Sequence, residues 1–159
     1  MGNLTLIRAA YETESSLSSE SRVARRLEQA WGCSLKKLTV PYRVDFALEK
    51  DDSIQAWLEV KCRNYPSTRY PTLMISVLKW ETGILHSRTT GLPFIIAIGF
   101  TDCIRFYRYS DKHKVTFKWG GRTRATRDNS DIEPVVHIPL ELFRDLKENQ
   151  GNRNSTALG

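Results

Sequence analysis

Two carboxylates and a lysine stand at spacings suited to phosphate-ester hydrolysis: Asp45 in VDFAL, and Glu59 and Lys61 in WLEVK. Both segments have the composition of strands, and the polar run EKDDS between them reads as a hairpin turn near Asp52. Residues whose numbers total 104 then face one another, which sets Asp45 opposite Glu59. Facing side chains on antiparallel strands have Cβ atoms about 4.5–5.5 Å apart, where two carboxylates repel unless a cation lies between them. A divalent ion that prefers hard oxygen ligands, Mg²⁺ or Mn²⁺, meets that need. Lys61 follows Glu59 by two residues, so the strand period puts its ammonium on the same face. There it can orient or deprotonate the attacking water, or neutralise charge on a phosphate in flight, while a metal activates the water as a Lewis acid. The bland reading is that a Glu-x-Lys triplet also marks an ordinary solvated strand face.

The elements that must position these residues follow from the apolar pattern. Ser18 and Ser19 read as the cap of a helix through ESRVARRLEQAW, with Val23, Leu27, Ala30 and Trp31 at helical spacing and Gly32 as its stop. KKLTV, YRVDFAL and IQAWLEVKC read as three strands. After a proline-punctuated stretch, Ser76 to Thr90 reads as a second helix, although Gly83 lies inside it. PFIIAIGF is apolar almost throughout, as in a strand covered on both faces, so a β-α-β crossover is expected there. CIRFYRY and KVTFKW should continue as an antiparallel meander, and HIPLELFRDLK reads as a short strand and a terminal helix. Residues 1–147 are expected to form one domain and 148–159 a polar, flexible tail.

These residues resemble the PD-(D/E)XK nuclease superfamily, which includes phage junction resolvases, restriction enzymes and VRR-type nucleases. The likeness runs from Ser18 to Tyr109. Val44-Asp45 stands for the Pro-Asp element, with valine in place of proline, and Glu59-Val60-Lys61 for the (D/E)XK element; Glu20 and Lys79 lie on the flanking helices. The resemblance implies an α/β fold with a restriction-endonuclease-like core: a central mixed β-sheet in α-β-β-β-α-β order, flanked by helices. It also implies metal-dependent cleavage of DNA, branched or otherwise structured DNA included, with Asp45, Glu59 and the Val60 carbonyl as ligands of Mg²⁺ or Mn²⁺. Similar small phage enzymes are often homodimers, and a phage origin would place the protein in the host-cell cytoplasm.

Glu20 lies on the same side of its helix as Val23, Leu27 and Trp31, so it should point inward. The resemblance offers it a role as a further metal or water ligand; the alternative is a first-turn glutamate favourable to the helix dipole. Lys79 falls in the first turn if Ser76 caps the second helix, where the dipole disfavours a cation by about 0.3–1 kcal/mol unless an anion such as a phosphate compensates. It also reads as an ordinary surface lysine. Arg63 reads as a solvated strand end or a phosphate contact, and the arginines at 122, 124 and 127 as a solvated loop or a grip on a DNA backbone. His86, His113 and His137 share no spacing, and Phe106, Tyr107 and Tyr109 read as sheet packing.

A net charge of +6 and a pI near 9.4 favour a polyanionic partner without requiring one. Cys33, Cys62 and Cys103 are odd in number and form no Cys-x-x-Cys pair, which points away from disulfides and zinc and toward a reducing compartment. The N-terminus lacks a signal-peptide pattern and no run is long enough to span a membrane, so a soluble intracellular protein is expected. Against the nuclease reading stand a non-catalytic nucleic-acid-binding module and an assembly protein that keeps the fold. Neither explains why a mutually repelling pair is retained beside a lysine.

Overall fold

The computed structural model describes residues 14–120 and 132–148. Helix α1 (Glu14–Trp31) begins upstream of the expected serine cap and ends at Gly32, whose φ of 61° closes the helix. The Cys33 N–H then bonds back to the Glu28 carbonyl at 3.3 Å, and the Glu28 carboxylate accepts the Leu35 N–H at 2.9 Å. One glutamate thus joins the helix end to strand β1 (Ser34–Lys37). A 3₁₀ turn (Val40–Tyr42) occupies what the sequence suggested was strand, because Pro41 lacks the N–H a ladder needs. Strand β2 (Phe46–Lys50) and strand β3 (Ser53–Cys62) follow.

The β2–β3 hairpin turns through Asp51 and Asp52, both left-handed at φ 53° and 60°, as a two-residue primed turn demands. That turn pairs Lys50 with Ser53 and, continued without interruption, would set Asp45 opposite Leu58. A bulge after the Glu49–Ile54 pair shifts the register by one, so that Leu48 meets Ala56 and Phe46 meets Leu58. The ladder ends at that pair; Asp45 just precedes β2, and the same register carried one residue further would set it opposite Glu59. A single extra residue, Gln55, therefore decides which side chains share the site.

Strand β4 (Thr72–Ser76) leads directly into helix α2 (Val77–Thr90), whose N-cap Ser76 accepts the Leu78 N–H at 3.2 Å. Strand β5 (Phe94–Gly99) returns parallel to β3, completing the crossover, and β6 (Ile104–Arg108) runs antiparallel to β5. Gly83 is explained by packing: a Cβ there would lie 2.2 Å from the Phe94 ring.

Among the described residues, six strands form one mixed sheet in the order β1-β2-β3-β5-β6-β9, where β9 is Arg144–Asp145. Strand β7 (Thr116–Gly120) does not extend a meander; with β8 (Glu133–Pro139), which contains the expected short strand, it joins β4 in a second sheet of order β4-β8-β7. The expected terminal helix is a 3₁₀ turn (Leu140–Leu142) and the short β9, since the apolar residues Leu140 and Phe143 pack into the core without a helical stripe. The fold is the α-β-β-β-α-β restriction-endonuclease-like core, with β4 inserted before α2. The arginine loop at 122–127 and the tail beyond 148 lie outside the described residues. Glu148, the first tail residue, pairs with Arg26 at 2.5 Å.

Two apolar clusters flank the large sheet. Val23, Ala24 and Leu27 of α1 pack against Phe46, Leu58 and Val60, while Trp80 of α2 and Leu73, Ile75 and Val136 of the second sheet pack on the other face with Trp57 and Ile96. Alternation along β3 therefore sends Leu58 and Val60 toward α1, and Trp57, Glu59 and Lys61 toward α2.

Candidate active site

The C-terminal half of β3 outruns β2, whose ladder ends at Phe46–Leu58. The Val60 N–H would be left unpaired at that edge, and Asp45 caps it: its Oδ2 accepts the Val60 N–H at 2.8 Å. The other oxygen, Oδ1, lies 3.9 Å from Lys79 Nζ. Glu59, 1% exposed, points into the same space, with Oε1 3.1 Å from both Lys61 Nζ and Lys79 Nζ. The structure thus brings Asp45, Glu59, Lys61 and Lys79 together.

Helix α2 delivers Lys79 because Ser76 caps it, placing the lysine in the first turn as expected. The anion that compensates its position against the dipole is the Glu59–Asp45 pair. Lys61 and Lys79 are each about a quarter to a third exposed, so their ammonium groups border solvent while Glu59 does not. Burial pushes the Glu59 carboxyl above the ordinary glutamate range and Asp45 adds to the rise, whereas Lys61 and Lys79 pull it back. Lys79 donates to Glu59 Oε2 at 3.5 Å, yet the buried Oε1 has no hydrogen-bond donor in proper alignment despite two ammonium groups at ion-pair distance. An acceptor with an unused lone pair, held beside a second carboxylate, suits a cation.

Glu20 stands further off. Helix α1 covers the opposite face of the sheet, and there the Glu20 carboxylate pairs with Lys37 Nζ. Lys37 in turn lies 3.9 Å from Asp45 Oδ1 and over the Phe46 ring at 5.0 Å. Glu20 therefore meets the cluster through a lysine that sequence reasoning missed. Lys37 could have been found by extending the hairpin register to β1, where it sits opposite Phe46, beside Asp45.

Arg63 is neither a free strand end nor extended into solvent: its Nη1 and Nη2 donate to the carbonyls of Cys62 and Met74 at 3.1 and 3.2 Å, tying β3 to β4. His86, His113 and His137 bond to the Tyr42 carbonyl, the Tyr107 hydroxyl and the Thr72 hydroxyl. Tyr107 packs among Trp80 and Phe143.

A cleft of about 440 Å³ opens over the cluster, walled by Lys37, Asp45, Lys61, Lys79, Leu78 and Glu133. Among the described residues, no three His, Cys, Asp or Glu side chains gather as a ready metal cage. Asp45 and Glu59 are the acidic side chains beside Lys61 and Lys79, with Glu133 on the cleft wall. Both are hard oxygens, and the carbonyl of a strand residue points to the same edge as its N–H, which sets the Val60 carbonyl on the Asp45 side of β3. That donor set fits a hard divalent cation that completes its coordination with water and phosphate oxygens.

No curated protein matches the chain. The Holliday junction resolvase Hjc of Archaeoglobus fulgidus is a solved structure to which the chain is similar, with a TM-score of 0.44 and 19% identity over 57% of this chain and 72% of that one. A family model described as "Phage putative PDDEXK endonuclease" matches residues 6–146, a span that contains every site residue named above. The chain belongs to this phage PDDEXK endonuclease family.

Proposed function

We propose that the protein is a Mg²⁺- or Mn²⁺-dependent deoxyribonuclease that hydrolyses phosphodiester bonds at the cleft lined by Asp45, Lys61 and Lys79, with Glu59 buried behind the two lysines. The observation that carries this reading is the buried Glu59 Oε1, without an aligned donor, beside the carboxylate of Asp45. Asp45, Glu59 and the Val60 carbonyl would hold the ion, which when bound supplies Lewis acidity toward water and phosphate. Lys61 Nζ, anchored on Glu59 and partly exposed to the cleft, holds or accepts a proton from the attacking water and meets the negative charge that grows on the phosphate. Lys79 keeps the two carboxylates together before substrate arrives, and Glu20 orients Lys37 beside Asp45.

DNA as the substrate is supported by the net charge of +6 and by a second cleft, of about 720 Å³, on the α1 face, lined by Arg22, Arg26 and Arg63, of which Arg26 also pairs with Glu148 and Arg63 with backbone carbonyls. Branched or structured DNA belongs to the same reading, and two copies of the chain would present two such clefts to a junction. No described helix is long and apolar enough to cross a membrane.

The test is cleavage of single-stranded, nicked, linear duplex and four-way-junction DNA with Mg²⁺ or Mn²⁺, with chelator and Lys61→Ala as controls. Product formation that requires the metal and is lost in Lys61→Ala supports the reading. Salt-sensitive binding without cutting on any substrate would replace it with the non-catalytic binding module.

A further inference from the structure

An arginine stands where the backbone suits a glycine. Among the described residues, the non-glycine positions at positive φ are Arg43, Asp51 and Asp52. The two aspartates form the β2–β3 hairpin turn and are of a residue type that visits the left-handed region readily. Arg43, at φ 58° and ψ 8°, closes the 3₁₀ turn by donating its N–H to the Val40 carbonyl at 3.0 Å. A glycine would adopt that conformation with no Cβ penalty. Among the described residues, the exposed Arg43 guanidinium enters no ion pair, hydrogen bond or ring contact that would offset the strain.

The side chain is held at a particular place. Arg43 lines the same cleft as Lys37, Asp45, Lys61 and Lys79. The turn that carries it is fastened on several sides: the Leu38 N–H donates to the Asp45 carbonyl at 2.9 Å, the Tyr42 carbonyl accepts from His86 Nε2 at 2.8 Å, and Val44 is buried in the core. Arg43 precedes Asp45 by two residues, about 7 Å of chain at most. Lys37, Lys61 and Lys79 each lie 3.9 Å or less from Glu20, Asp45 or Glu59, so their charges are engaged within the site. Among the described residues, Arg43 is the lining cation outside those pairs, and an anion that enters the cleft meets it first.

We infer that Arg43 grips a DNA backbone phosphate next to the one that lies at Asp45 and Glu59, and so sets the position of the strand in the cleft. The inference rests on the nuclease reading and gives its substrate a second point of attachment. A guanidinium meets two phosphate oxygens in a fork that a lysine's point charge does not reproduce. Such a contact fixes register along the backbone and carries no choice of base. Left-handed strain persists at ligand clamps where the surrounding bonds over-determine the backbone, as they do around this turn.

Binding is measured on the full chain in chelator, which withholds the metal, with a labelled four-way junction followed by anisotropy over a range of salt. Arg43→Gly removes the side chain and suits the backbone, so its Tm should equal or exceed that of wild type while affinity falls about 10-fold. The slope of log affinity against log salt should become shallower by about 0.9, the value of one phosphate contact on duplex arms. Arg43→Lys should keep the slope and recover part of the affinity. Arg88→Ala, which removes an exposed arginine from the last turn of α2, should leave the slope where it was. A Tm below wild type in Arg43→Gly would make the side chain a brace for the turn and overturn the grip. So would a slope that Arg43→Gly leaves unchanged, or one that Arg88→Ala changes equally. With Mg²⁺ or Mn²⁺ supplied, Arg43→Gly should raise KM by a factor similar to its loss of affinity. The shallower slope in a chain that never cuts DNA would leave the grip standing and remove the nuclease reading. Metal-dependent cutting with slope and KM unchanged in Arg43→Gly would do the reverse.

Discussion

Asp45 Oδ2 accepts the backbone N–H of Val60 at 2.8 Å, so the aspartate that immediately precedes β2 is fastened to the strand that carries Glu59 and Lys61. This bond does two things at once. It satisfies a donor that the short β2 leaves unpaired, and it aims the second oxygen, Oδ1, at Lys79 and the space before Glu59.

The double role separates two substitutions at Asp45. Asn keeps an oxygen for the Val60 N–H, so Asp45→Asn should retain the wild-type Tm while losing about 10²–10³ in kcat. Ala removes the acceptor as well and should cost a further 1–3 kcal/mol, the order of a buried donor left unmade. Thermal unfolding beside a cleavage assay checks both, and equal Tm values for the two variants would deny the structural role.

Glu59 gives a pH dependence of definite sign. Its carboxyl is raised by burial, so the folded state favours the protonated form, and its contribution to stability is present below the ordinary glutamate pKa and lost as pH rises through the raised value. In chelator, Glu59→Gln should therefore melt higher than wild type at neutral pH, with the gap closing toward about pH 4. Adding Mg²⁺ should raise the wild-type Tm and leave that of Glu59→Gln where it was. A gap that widens on acidification would contradict this picture.

Lys61 and Lys79 both lie 3.1 Å from Glu59 Oε1, yet they should behave differently. Lys79 is also near Asp45, so Lys79→Ala leaves two carboxylates facing with less compensation. It should melt lower than wild type in chelator and gain more from Mg²⁺ or Mn²⁺ than wild type does, as differential scanning fluorimetry can measure. Lys61→Ala should show a near-normal metal response and fail in turnover. Identical metal responses from the two variants would refute the division of labour.

Gly83→Ala should destabilise the protein although alanine favours a helix by about 0.8–1 kcal/mol over glycine. The new methyl would meet the Phe94 ring at 2.2 Å, and overpacking of this kind costs about 1–3 kcal/mol. A denaturant midpoint at or above that of wild type would show that the ring can move aside.

The order of helices and strands around the site was legible in the sequence because each of those segments carries a strong local signal: the apolar stripe of α1, the Ser76 cap of α2, and the nearly unbroken apolar run of β5. The approach of Asp45 to Glu59 was legible too, although the turn assumed for it is centred half a residue late and Gln55 makes up the difference in a bulge. No local pattern announces that bulge, since one extra residue in a ladder is decided by how both strands pack. Likewise, β7 looks like a continued meander, and only its pairing with β8, whose Val136 and Ile138 pack with Leu73 and Ile75 of β4, draws it into a second sheet. The sequence by itself determined which residues could do the chemistry, through residue type and a strand period of two. Tertiary structure alone decided that Lys37 stands between Glu20 and Asp45 and that Glu59 is buried without an aligned donor, because each depends on contacts between segments far apart in the chain.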